Sequence, residues 1–131
     1  GGIQVNAGGK LIVNTNATAN FNSTQTVSVA SGGTFTVQSG AVLRAGGGAK
    51  FRFTSGDTLL VNGKLVANGT SSSRVTFTSA NSTPHSGDWQ GIVCSGGGPD
   101  TLTYCDIYYA KTGLQLVNTT GTSYMQNDTV K

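Results

Sequence analysis

Acidic residues are scarce. The chain holds five of them in 131 residues, all aspartate, and charged residues of both signs amount to 10%. An amphipathic helix needs charge along its wet face, so this shortage argues against a helical protein. Cysteine occurs twice and histidine once, which falls short of the four ligands of a structural zinc site. The aspartates Asp57, Asp88, Asp100, Asp106 and Asp128 form no cluster in sequence, so neither a metal nor another cofactor is expected. There is no apolar run of about 18 residues, and hence no expected membrane-spanning helix. Lysine and arginine stand singly, at Lys10, Arg44, Lys50, Arg52, Lys64, Arg74, Lys111 and Lys131. Without a basic stripe, nucleic acid is not an expected partner.

What the chain has instead is glycine, threonine, serine and asparagine, the residues of short strands and tight turns. They are ordered. At an offset of 24, Ile3, Val27, Phe51 and Val75 share a column, and so do Val5, Val29, Phe53 and Phe77. Leu11/Phe35/Leu59 and Val13/Val37/Val61 form two more, and Ala17/Ala41/Leu65 and Ala19/Leu43/Ala67 a third group. Within each group apolar and polar residues alternate, the period of a strand with one buried face. Between groups lie small turns such as "NAGGK", "ASGGT" and "TSGDT", with Gly8, Gly32 and Gly56 aligned. One repeat therefore reads as three short strands and three corners. Such a unit cannot bury its own apolar row and must stack on its neighbours. The spacing predicts an all-β, right-handed parallel β-helix of about five coils, right-handed because parallel crossovers almost always are.

After Val75–Phe77 the period stretches. "SANSTPHSGDWQG", residues 79–91, contains Pro84 and Gly87 and reads as a loop that leaves the coil and returns. Leu102, Tyr104 and Ile107 then match Met125, Asn127 and Val130 at an offset of 23. Residues 1–131 thus read as one β-helical domain that breaks off part-way round a coil, to be continued end to end by more chain or by another copy.

The stretch "SRVTFTSANSTPHSGDWQGIVCSGGGPDTLTYCDIYYAKTGLQL" resembles segments of large secreted or surface right-handed β-helix proteins of Bacteroidota-like bacteria. The likeness is carried by Val75–Ser79, by Gly87–Ile92 and by Leu102–Ala110. It implies the solenoid fold, a secreted or cell-surface location and a structural role as stalk, adhesin shaft or filament subunit.

Several residues invite chemical readings. Trp89, with Tyr108, Tyr109 and His85, is either an aromatic platform for a sugar ring or, for Trp89, a cover over the coil beside the loop. A carbohydrate-binding module is accordingly the alternative function, with cell-surface glycans as partner. Cys94 and Cys105 either meet across a corner as a disulfide or are two small buried residues in stacked columns. Asp106 and Asp128, at an offset of 22, come near to stacking, but the usual glycoside hydrolysis needs two carboxylates at a set separation. With no lyase-like cluster of bases and acids readable either, catalysis is not expected. Asp57-Thr58, Asp100-Thr101 and Asp128-Thr129 each precede an apolar residue. Given the resemblance, this pattern marks Thr58, Thr101 and Thr129 as O-glycosylation candidates; otherwise Asp-Thr simply opens a strand after a corner. N-x-[ST] tripeptides begin at Asn16, Asn22, Asn68, Asn81, Asn118 and Asn127, many of them expected by chance in such a composition.

Overall fold

The computed structural model describes residues 2–22, 25–117 and 119–131. Among these residues the chain forms strands and no helix, wound as a parallel β-solenoid of about five turns. The first coil is β1 (Gly2–Val5), β2 (Lys10–Val13) and β3 (Thr18–Phe21). The second is β4 (Thr26–Val29), β5 (Thr34–Val37) and β6 (Val42–Gly46), and the third β7 (Lys50–Phe53), β8 (Thr58–Val61) and β9 (Lys64–Asn68). The fourth comprises β10 (Val75–Ser79), β11 (Gly91–Ser95) and β12 (Thr101–Thr103). The fifth comprises β13 (Cys105–Ile107), β14 (Leu114–Val117) and β15 (Tyr124–Gln126), and β16 (Thr129–Val130) follows. Every third strand joins the same sheet. Sheet A is β1-β4-β7-β10-β13-β16, sheet B is β2-β5-β8-β11-β14, and sheet C is β3-β6-β9-β12-β15.

The 24-residue period has a finer origin. The first eight strands begin at Gly2, Lys10, Thr18, Thr26, Thr34, Val42, Lys50 and Thr58, one every 8 residues. Each of the first two coils is thus a triangle with three sides of 8 residues, strand and corner together. In one corner column Gly8, Gly32 and Gly56 have φ of 73°, 76° and 85°, a region where a Cβ is unfavourable.

The inner columns are continuous. Ile3 pairs with Val27, Val27 with Phe51 and Phe51 with Phe77 in sheet A; Leu11, Phe35, Leu59, Ile92 and Leu114 line sheet B. The middle of the core is aromatic. Phe51 and Phe77 stack at 4.9 Å, and Phe21 meets Phe51 edge-on at 5.4 Å from another side of the triangle.

Four columns, two in sheet A and two in sheet C, differ from the 24-residue alignment. Phe77, not Val75, lies over Phe51, and Ser79, not Phe77, over Phe53. In sheet C, Leu65 lies over Leu43 and Ala67 over Ala45, rather than over Ala41 and Leu43. The cause of the sheet C shift is a corner shortened to Asn62-Gly63, where the earlier coils use four residues. A Cβ at Gly63 would run into the Ala41 carbonyl, so only glycine fits this corner. The longer corner at residues 69–74 more than restores the lost length, which puts Phe77 over Phe51. Both shifts are taken up in corners, and inner residues still lie over inner residues.

Phe51 touches aromatic rings from all three sides of the coil and is fully buried. Phe51→Ala is expected to lower unfolding free energy by about 3–5 kcal/mol and Phe51→Leu by less, measured by urea denaturation followed by circular dichroism.

Candidate functional site

Residues 80–90 bulge from the corner between β10 and β11. This excursion is folded on Asp88, whose Oδ2 accepts hydrogen bonds from Ser79 Oγ at 2.6 Å and from the His85 amide at 3.0 Å. These bonds, the Ser79 hydroxyl first, hold the Asp88 carboxyl below its ordinary range. The Gly87 amide donates to the Tyr109 carbonyl, tying the loop to the next coil.

The loop turns Trp89 inward. Its exposure is 0%, its ring stacks on Phe53 at 4.5 Å, and Nε1 donates to the Tyr108 carbonyl at 2.9 Å. The column Val5, Val29, Phe53 continues to the small Ser79, and the indole fills the space that a larger residue would have taken. Trp89 is therefore core, and the platform reading fails for it. The other three candidates do come together. Tyr108, Tyr109 and His85, with Pro84, Ser86 and Lys131, line an open cleft of about 400 Å³. The tyrosine rings lie 6.1 Å apart and are tilted by 57°. Burial and then the nearby Asp106 carboxylate push the Tyr108 hydroxyl above its ordinary value.

No disulfide joins Cys94 and Cys105; both are free and buried. Cys94 belongs to the Val13, Val37, Val61 column of sheet B, and Cys105 pairs with Val75 in sheet A. Burial, followed by Asp100, pushes the Cys94 thiol well above its usual value, and burial with Asp128 pushes Cys105 up to about 12.

The aspartates are occupied by the fold. Asp106 lies over Thr129 rather than Asp128, so the near-stacked pair of carboxylates is not formed. Asp106 instead accepts from Arg74 Nε at 2.8 Å. The same guanidinium donates to the Asn127 carbonyl at 2.7 Å and lies 5.7 Å from the Tyr104 ring centre, so Arg74 ties together successive coils. Its partners lie 32 and 53 residues away, at no multiple of the period, and no sequence signal announced it. Asp57 Oδ2 accepts from the Thr54 amide and hydroxyl at 3.1 and 2.9 Å, while burial raises its carboxyl. Asp100 Oδ1 accepts from the Leu65 amide and Asp128 Oδ1 from the Cys105 amide, each at 2.8 Å and each from the preceding coil. Thr58, Thr101 and Thr129, the O-glycosylation candidates, follow these aspartates and are each half-buried at the start of a strand. The N-x-[ST] tripeptides at Asn22 and Asn118 include residues outside those described. Among the described residues no group of three or more His, Cys, Asp or Glu is placed to hold a metal ion.

A family model described as a pectate-lyase-like β-helix domain matches residues 6–106. Neither the curated proteins nor the solved structures provide a match.

The thiols give a measurable consequence. Their native values lie above the ordinary 9.0, so between pH 9.0 and about 12 the folded chain keeps thiol protons that the unfolded chain loses. Stability should therefore fall as pH rises through this window, by at most about 1.4 kcal/mol per pH unit for each thiol. Urea titrations at pH 8 and above pH 10 measure the slope, which should shrink in Cys94→Ala. At pH 8 both thiols should resist a thiol reagent until the chain is unfolded.

Proposed function

Because the chain belongs to the pectate-lyase-like β-helix family, and because its stacked columns reach both ends with apolar side chains uncovered, we propose that it is a structural segment, a rigid shaft of a secreted or cell-surface protein. Further parallel rungs cover its ends. The observation that carries this reading is a contrast within single columns. Val130 is 56% exposed where Ile107 below it is 1%, Leu116 40% where Cys94 is 0%, and Met125 38% where Leu102 is 1%. Side chains of the same columns are buried where rungs lie both above and below them. Burying apolar area is worth roughly 25 cal/mol per Å², so covering these residues favours stacking. The enzymatic reading has less support, since all five aspartates already serve amides, a hydroxyl or Arg74.

Sedimentation or light scattering across a concentration series tests the reading. The chain should associate as concentration rises, and Val130→Lys combined with Leu116→Lys should reduce that association at least tenfold. A strictly monomeric chain at high concentration would count against it.

The cleft at Tyr108, Tyr109 and His85 favours a second reading, a carbohydrate-binding module with the tyrosines as sugar-facing rings. On a glycan array the wild-type chain should then bind at least one glycan, and Tyr109→Ala should lose the signal while thermal unfolding stays within a few degrees. No bound glycan, or binding indifferent to this substitution, removes it.

A further inference from the structure

We propose that the outer face of sheet A carries a binding site for a tetrahedral oxyanion, a sulfate or phosphate ester on a polysaccharide, centred on Lys50 and Arg52. The site spans the second to fourth coils and is complete within them. It depends neither on the shaft reading nor on the tyrosine cleft.

Strand alternation places the two cations. In β7 Phe51 and Phe53 point into the core, so Lys50 and Arg52 point out from the same face. They stand two residues apart, roughly 6.6 Å along the strand. The rungs on either side set a hydroxyl beside each cation. Lys50 lies between Thr26 and Thr76, and Arg52 between Ser28 and Thr78. All four hydroxyl residues are half-buried at outward positions of β4 and β10. Arg52 is also anchored: its Nη2 donates to the Ala80 carbonyl at 3.4 Å, at the foot of the excursion. That bond orients the guanidinium and uses one of its five N–H groups.

The charge at this place is uncompensated. Among the described residues neither Lys50 nor Arg52 forms an ion pair. The carboxylate in the Lys50 column is Asp106, which lies beyond Thr76 and is already bonded to Arg74 at 2.8 Å. Two like charges side by side, flanked by four hydroxyls, offer hydrogen-bond donors from three rungs to one shared anion. A sulfate or phosphate ester has three terminal oxygens, enough to accept from the ammonium, the guanidinium and a hydroxyl together, whereas a carboxylate has two. The surroundings select the carrier. Nucleic acid is held by a stripe of cations, and here the pair stands alone. A glycan with a single ester suits it better, since its neutral hydroxyls then lie over Thr26, Ser28, Thr76, Thr78 and Gln4, the last of which pairs with Ser28.

Titration calorimetry near physiological salt, about 0.15 M, tests the site with four polymers: dextran sulfate, dextran phosphate, polygalacturonate and neutral dextran, the anionic ones matched in charge per sugar. At least one ester should bind at least tenfold more tightly than polygalacturonate, and neutral dextran should give no heat. The tighter of the two esters names the group. Lys50→Gln combined with Arg52→Gln should weaken that binding at least tenfold, with thermal unfolding by circular dichroism unchanged. Lys10→Gln combined with Lys111→Gln removes the same charge elsewhere and should change the affinity less than twofold. Failure of both esters to bind, polygalacturonate binding as tightly as the better ester, or equal losses in the two double variants would each overturn the assignment.

Discussion

Everything in this protein depends on one contact, the vertical stacking of apolar side chains between successive rungs. A single coil of 24 residues has an inner row but nothing to bury it against. Stability is thus a property of neighbouring pairs of coils, as in any solenoid. This explains why the columns tolerate changes of residue but not of face. Ile3, Val27, Phe51, Phe77, Ile107 and Val130 form one ladder with three residue types, all apolar and all pointing inward. It also explains the form taken by irregularity. The corner at Asn62-Gly63 removes two residues and the corner at residues 69–74 adds four. The ladders pass through both changes because the corners absorb them, as they absorb the longer excursion at residues 80–90 that still leaves Ile92 over Leu59.

The same constraint decides what the polar residues do. Strands that turn every few residues leave corner amides facing the interior, and a buried amide without a partner is costly. Aspartate is the repeated answer. Asp100 and Asp128 each reach back to an amide of the previous coil, and Asp57 closes its own corner through Thr54. The Asp-Thr pairs thereby acquire a structural reason: the aspartate ends the corner inside and the threonine opens the next strand. A chain with so few acids that uses them in this way keeps few carboxylates for surface chemistry.

The architecture was legible in the sequence because stacked residues share an environment. Column and strand positions could be read wherever the corners kept their length, as at Ile3/Val27/Phe51 and Leu11/Phe35/Leu59, and again at Leu102/Met125 and Tyr104/Asn127. The last pair shares a positive φ, 52° and 58°, as residues at equivalent corners should. The 8-residue side was hidden, because the three sides of one coil carry different residues and repeat only in shape. The register shift was hidden because two corner changes of opposite sign nearly cancel over a full turn. The place of Trp89 was hidden for a subtler reason. Its burial depends on Ser79 being small in a column of large residues, a vacancy created ten positions earlier in the chain and one sheet away. Of the proposed aromatic site the sequence named three residues that do converge, Tyr108, Tyr109 and His85, and one, Trp89, that supports them from below through its bond to the Tyr108 carbonyl.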